Sequence, residues 1–296
     1  MSVTGSTILP PSADELSGLS VKEIRTMDFS RVVGYTNEPN MPSGGAATVR
    51  RLLQLAGPLR PGLPLLEVGS NTGYTSIELA SWTQHQVYGI DVNPLSNRFA
   101  AAKAARTGID NVTFKQGDGM GGLPFPDGTF GLVFVSNVTS FMDDHAKARD
   151  EYYRVVAPLG VLASAPIYYR TTPPAAVVDA VSSAIGVTLP VTSLEYWKDL
   201  FSHPDATLIA EEAYQYERQT DERIASYLDR VMAQPHLLTA PAPIVAALRE
   251  RLGEFYRLFD ENLSYAGYSI LVNRLHHPNP EPVLHTTRLA TAPAVR

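Results

Sequence analysis

The stretch Leu65-Leu66-Glu67-Val68-Gly69-Ser70-Asn71-Thr72-Gly73-Tyr74-Thr75-Ser76 constrains the fold of this chain more than any other. A short apolar run carrying one acid leads into a glycine turn, and a helical pattern opens directly behind it. A strand that is apolar on both faces belongs inside a sheet covered on both sides. The glycines permit a turn that brings backbone N–H groups and the positive end of the next helix close to a ligand. Glu67, at the end of that strand, is an acceptor for a ligand amine or hydroxyl.

The same rhythm repeats downstream. Val87–Ile90 reads as a second strand ending at Asp91, and Asn93-Pro94 reads as a cap followed by proline in the first helical position. That helix is predicted to run to Thr107, with Gly108 as its stop. Val112–Phe114 is a third strand, ending at Gly117-Asp118, and Phe130–Val135 a fourth. Asp143 or Asp144 caps a helix reaching Val156, and Val161–Ile167 is a fifth strand. Alternation of this kind predicts βαβ units with right-handed crossovers.

After residue 170 the pattern changes. Helices are expected over Pro174–Ile185 and Leu194–Phe201, and a strand over Leu208–Tyr216. Amphipathic helices follow over 221–233 and 243–262, then a last strand over Tyr268–Leu275. Near the N-terminus a short helical pattern gives way to Val33–Asn40, read as a polar loop. Ser43 is read as the cap of a helix carrying Val49, Leu52, Leu53 and Ala56. The expected fold is therefore α/β and doubly wound. Its sheet is mostly parallel and seven-stranded, its last strand is antiparallel, and a helical cap is inserted between the last two strands. The division is 1–63 as an N-terminal segment, 64–218 as the core, 219–264 as the cap, 265–275 as the last core strand and 276–296 as a loose tail.

Composition removes several classes of function. There is no cysteine, so disulfides and thiol nucleophiles are excluded. The net charge is −6 with no basic block, which argues against nucleic acid as a partner. No apolar run reaches membrane length, and Met1–Thr7 lacks the features of a signal peptide, so a cytoplasmic location with no membrane partner is expected. No His, Asp and Glu group shows ligand spacing, so no metal is expected.

Acids close three successive strands: Glu67, Asp91 and Asp118. In an open α/β sheet, ligands bind beyond the carboxyl ends of the strands, where an acid meets ribose hydroxyls. Two further segments keep the order, Leu123–Val135 and Arg154-Val155-Val156-Ala157-Pro158-Leu159-Gly160. Together these resemble the ordered motifs of class I S-adenosylmethionine (SAM)-dependent methyltransferases, whose first motif is Glu/Asp-x-Gly-x-Gly-x-Gly. Asn71 stands where that motif usually has its middle glycine. Pro42–Thr48 also looks like a Gly-Gly segment seen before the first strand in part of the family. The resemblance covers residues 64–167 and implies that 64–218 is a Rossmann-like SAM-binding core, with the N-terminal helices over the cofactor. The cofactor residues it implies are Tyr35, Glu67, Gly69, Asn71, Gly73, Asp91, Val92, Asp118, Gly119 and Asn137. The dinucleotide fingerprint Gly-x-Gly-x-x-Gly is missing, which disfavours a dehydrogenase.

For the chemistry, the candidates are Asn137 behind the fourth strand, Tyr169 (with Tyr168) behind the fifth, and His145 as a base. His203 and His236 are lesser candidates near the cap. The absence of Asn/Asp-Pro-Pro-Tyr argues against base methylation, and the inserted cap suits a small enclosed substrate. Methyl transfer to a small organic metabolite, in secondary metabolism, is the expected activity. Transfer or cyclisation of the aminocarboxypropyl chain of SAM stays open, as does a non-catalytic SAM-fold protein. Substrate, accepting atom and oligomeric state are not assigned.

Overall fold

The computed structural model describes residues 16–276. The residues before them and the tail after them, the latter expected to be loose, lie outside the described residues. The strands are β1 (Leu65–Val68), β2 (Val87–Asp91), β3 (Val112–Gln116), β4 (Phe130–Val135), β5 (Val156–Ser164), β6 (Ile167–Tyr169), β7 (Ala206–Gln215) and β8 (Ala266–Leu275). They form one sheet in the order β3-β2-β1-β4-β5-β8-β6, with β7 also paired to β8. Strands β1 to β5 are parallel to their neighbours, whereas β8 runs antiparallel to β5, β6 and β7.

The expected frame is present, with one short strand more. β5 and β6 are separated by Ala165-Pro166, and proline has no N–H for the ladder. The chain resumes at Ile167, which pairs with Tyr268. β5 also starts at Val156, earlier than the pattern predicts, because a bulge at Leu159 (φ 64°) lets the strand continue past Pro158-Leu159-Gly160.

Helices cover both faces. Asn93 caps the Pro94–Thr107 helix by accepting from Leu95 N at 3.0 Å, and Gly108 ends it in the left-handed region. Asp144 caps the His145–Val155 helix. The segment Val33–Asn40, expected to be a loop, is instead helical as far as Thr36. The helix Phe29–Thr36 is capped by Asp28 and buries Val32, Val33 and Thr36, so its apolar face outweighs its poor propensity. Ser43 does not cap the next helix, Ala46–Ala56. Gly45 holds the N-cap position with no side-chain cap, and Ser43 Oγ is hydrogen-bonded to the Tyr216 hydroxyl.

The sheet has an apolar core on each face. A third core lies among the helices alone. There Ile24, Met27 and Val32 pack with Leu228, Leu248, Leu252 and Phe255 from the helices Asp221–Met232 and Ala242–Leu263, which lie between β7 and β8. The N-terminal helices and the inserted helices thus form one layer. Each such side chain contributes roughly 1.5–3 kcal/mol on burial, which fixes this layer against the strand ends.

Candidate functional site

Register sets the site. Val68 stands beside Ile90 on one side and Val135 on the other, so the residues that follow each strand emerge at one edge. Gly69 N and Ser70 N both donate to Ile90 O, at 2.8 and 2.9 Å, folding the first turn over the end of β2. Gly69 has φ 81°, and a Cβ there would lie 2.7 Å from Val138. Only glycine fits both the angle and the contact. Gly73, at φ 82°, opens the helix Tyr74–Trp82, and a Cβ there would meet Ala100 at 2.6 Å.

Asn71 occupies the left-handed region at φ 44°, a conformation that Asn adopts more readily than most residues. Its N–H donates to Asp91 Oδ2 at 2.9 Å, while Asn93 N donates to Asp91 Oδ1 at 2.8 Å. Asp91 therefore ties the first turn to the second. Burial pushes its carboxyl above the ordinary range, against the pull of those two N–H bonds. Glu67 is 3% exposed and accepts from Ser76 Oγ. Burial raises its carboxyl to about 7, opposed by hydrogen bonds from Ser76 and Thr75. On the far side of the turn, Asp118 is exposed and accepts from Met120 N at 2.9 Å. Gly119 is buried, with room for no Cβ against Val68, and Val92 is 60% exposed at the lip.

Four buried acceptors in this region lack partners among the described residues: Ser70 Oγ, Asn71 Oδ1, Asn97 Oδ1 and Asn37 Oδ1. An unsatisfied buried polar atom is costly and calls for a ligand or water. A cofactor bearing an amine and ribose hydroxyls supplies the matching donors, so the residues present fit SAM. The turn is also held from above. Thr72 Oγ1 donates to Glu38 O at 2.7 Å, and Lys103 Nζ donates to Thr72 O at 2.9 Å. Glu38 is 2% exposed, raised by burial, and its carboxylate accepts from the Tyr227 hydroxyl of the inserted layer.

A second space opens beside this edge. Its volume is about 140 Å³. Asn137 and Ser140 reach it from the turn after β4, Tyr169 from the end of β6 and Asn262 from the inserted helix Ala242–Leu263. The rest of the wall is apolar, with Phe29, Val181 and Phe259 among its residues. Tyr169 donates to Asn262 Oδ1 at 2.8 Å, and burial raises the Tyr169 phenol. A larger groove between Arg50, Trp82 and His85 lies before β2, at the opposite end of the strands.

The structure brings Asn137 and Tyr169 together but not His145. His145 Nδ1 lies 2.6 Å from the Tyr196 hydroxyl, its ring stacks on Trp197, and burial lowers its pKa. It does not line the cavity. The Tyr35 side chain packs against the helical layer, and its carbonyl accepts from His236 Nε2 at 3.0 Å, so His236 is a tie. His203 stacks on Tyr153. Sequence reasoning missed Glu38, Ser140 and Asn262. Glu38 lay within the Val33–Asn40 segment read as a polar loop, whereas Asn262, at the end of a long amphipathic helix, carries no local signal. Among the described residues there is no group of three or more His, Asp or Glu placed to hold a metal ion, and no helix is long and apolar enough to cross a membrane.

Comparison with known proteins agrees with this geometry. A family model described as a methyltransferase domain matches residues 66–164. The chain is 30% identical over 236 residues to 27-O-demethylrifamycin SV methyltransferase of Amycolatopsis mediterranei (strain S699), covering 77% of this chain and 84% of that protein. The crystal structure of MccD protein matches 80% of this chain and 99% of that one, with a TM-score of 0.64 and 23% identity. Phosphoethanolamine N-methyltransferase 2 of Haemonchus contortus, solved with SAM, matches 90% of this chain and 60% of that one, with a TM-score of 0.61 and 17% identity. At these identities the two structures speak for the fold alone.

Proposed function

The chain belongs to the class I SAM-dependent methyltransferases, which makes the acceptor the question, and we propose that it methylates an oxygen of a small, largely apolar organic molecule of secondary metabolism. The observation that carries this reading is the partly open apolar cavity beside the cofactor edge, with Asn137, Ser140, Tyr169 and Asn262 as its polar groups. An apolar pocket with a few fixed polar groups is the usual form of a small-molecule site. The name of the Amycolatopsis relative, 27-O-demethylrifamycin SV methyltransferase, supports oxygen as the accepting atom.

SAM supplies a methyl group on a cationic sulfur, open to in-line displacement. The chain's own residues hold and position. Glu67, Asn71 and Asp91 would hold the amine and ribose side of the cofactor, and Val92, Asp118 and Gly119 would flank its base. Asn137 and Tyr169 would orient the acceptor, and the helical layer would keep water out of the cavity. His145 takes no part in this reading. Nothing in the site favours aminocarboxypropyl transfer over methyl transfer.

The test is to incubate the protein with SAM and a panel of small apolar phenols, enols, alcohols and amines, and to quantify methylated product and S-adenosylhomocysteine by mass spectrometry. Equal amounts of the two from an oxygen acceptor are expected. Turnover of no small molecule, with intact SAM binding, would contradict the reading.

A further inference from the structure

Asn137 is held in one orientation. Its Oδ1 accepts from Ile167 N at 2.9 Å and from Ser140 Oγ at 2.8 Å. A backbone N–H only donates, so the atom facing Ile167 is the oxygen, and the Nδ2 amide is the end left over. Asn262 has the same polarity, since the Tyr169 hydroxyl donates to its Oδ1, and the residue is 5% exposed. Neither Nδ2 has a hydrogen-bond partner among the described residues, and both side chains line the same apolar cavity. That wall contains no Asp, Glu, His, Lys or Arg. The cavity therefore offers two unspent N–H donor groups and no base.

We propose that the cavity binds its acceptor as an oxygen anion, the phenolate or enolate of a hydroxyl conjugated to an electron-withdrawing group, through the amide N–H groups of Asn137 and Asn262. This rests on reading the cavity as the acceptor site. An aliphatic alcohol would find no group there to take its proton. A neutral amine would accept those N–H groups on its lone pair, the pair that must attack the methyl group. A hydrogen-free anionic oxygen instead gains charge-assisted hydrogen bonds, which are about twice as strong as neutral ones. In the step itself, the oxygen–carbon bond forms as the carbon–sulfur bond breaks. The proton has already left to solvent, and the products are a neutral ether and S-adenosylhomocysteine.

The probe is 4-nitrophenol, whose phenolate absorbs visible light, titrated against pH with protein saturated in S-adenosylhomocysteine. An apolar cavity without donors raises the pKa of a bound phenol. Two directed donors should lower it by about one pH unit, a tenfold change in the ionisation constant. Asn137→Asp and Asn262→Asp each keep the pinned oxygen and replace the amide nitrogen by an acceptor, and each should abolish the lowering, with thermal unfolding as the check on folding. Where either fails to fold, Tyr169→Phe releases Asn262 from its donor and should weaken the lowering. A bound probe that ionises at or above the pH of free 4-nitrophenol overturns the inference, as does a lowering that survives the variants or a failure of the probe to bind. Methylation of aliphatic alcohols or amines in the panel, with no lowering, would overturn this inference and leave the small-molecule activity standing. A lowering without methylation of any small molecule would do the reverse.

Discussion

Replacing Glu67 by Gln should stabilise the cofactor-free protein at neutral and alkaline pH while weakening its hold on SAM. The carboxyl is 3% exposed, and burial raises it from an ordinary 4.5 to about 7. That gap corresponds to about 3 kcal/mol of unfavourable charging in the folded state. Between those pH values the folded chain keeps a proton that the unfolded chain has lost. Glu67's contribution is therefore most favourable below pH 4.5 and falls as pH rises, the full loss being reached above about 7. Glutamine stays neutral throughout, and its carbonyl still accepts from Ser76. Urea unfolding of both proteins without SAM, from pH 5 to 8.5, should show the variant gaining steadily on the wild type, by up to about 3 kcal/mol. Calorimetric titration should show SAM binding weakened by about 1.5–3 kcal/mol, the loss expected when a charged hydrogen-bond partner becomes neutral. Parallel pH profiles would refute the burial argument. Unchanged SAM affinity would remove Glu67 from the cofactor site.

Other perturbations separate the roles assigned to the turns. Asp91→Asn turns an amide NH2, itself a donor, toward one of the two N–H groups, of Asn71 or Asn93, and should weaken SAM binding by ~1.5–3 kcal/mol in the same titration; an unchanged Kd would contradict the assignment. Gly69→Ala places a Cβ 2.7 Å from Val138 at φ 81° and should cost roughly 2–3 kcal/mol by urea unfolding, whereas a change near zero would mean that the turn relaxes freely. Tyr169→Phe removes the hydroxyl that pins Asn262 and should raise the acceptor KM more than it lowers kcat, with SAM affinity retained. The opposite split would move Tyr169 to the cofactor side.

The parts of this architecture written in local patterns were legible. The helices Pro94–Thr107 and His145–Val155 carry their caps in sequence, at Asn93 and Asp144, and the strands before them are continuous apolar runs. Glu67 and Asp91 lie at or next to the last residue of adjacent parallel strands and Gly69 directly follows the first, so topology alone puts all three at one edge. What was not legible depends on distant partners. β6 is three residues long and exists through its pairing with β8, some hundred residues on. The second half of the helix Phe29–Thr36, from Val33, looked like a loop because its stability comes from packing with the inserted helices. Asn262 reads as a polar residue on an amphipathic helix until the fold sets it beside Tyr169, and His145 looked available until Tyr196 and Trp197 closed on it.

On the proposed reading, SAM bound at the Gly69–Asp91 edge would give its methyl group to an oxygen held in the neighbouring cavity. The most direct test is to supply SAM labelled in its methyl group together with an apolar phenol or enol, and to follow the label by mass spectrometry. The expected result is label on the acceptor oxygen with one S-adenosylhomocysteine per product, reduced in Asp91→Asn at limiting SAM and reduced in Asn137→Asp. Release of methylthioadenosine with unlabelled acceptor, or label transfer indifferent to both substitutions, would contradict it.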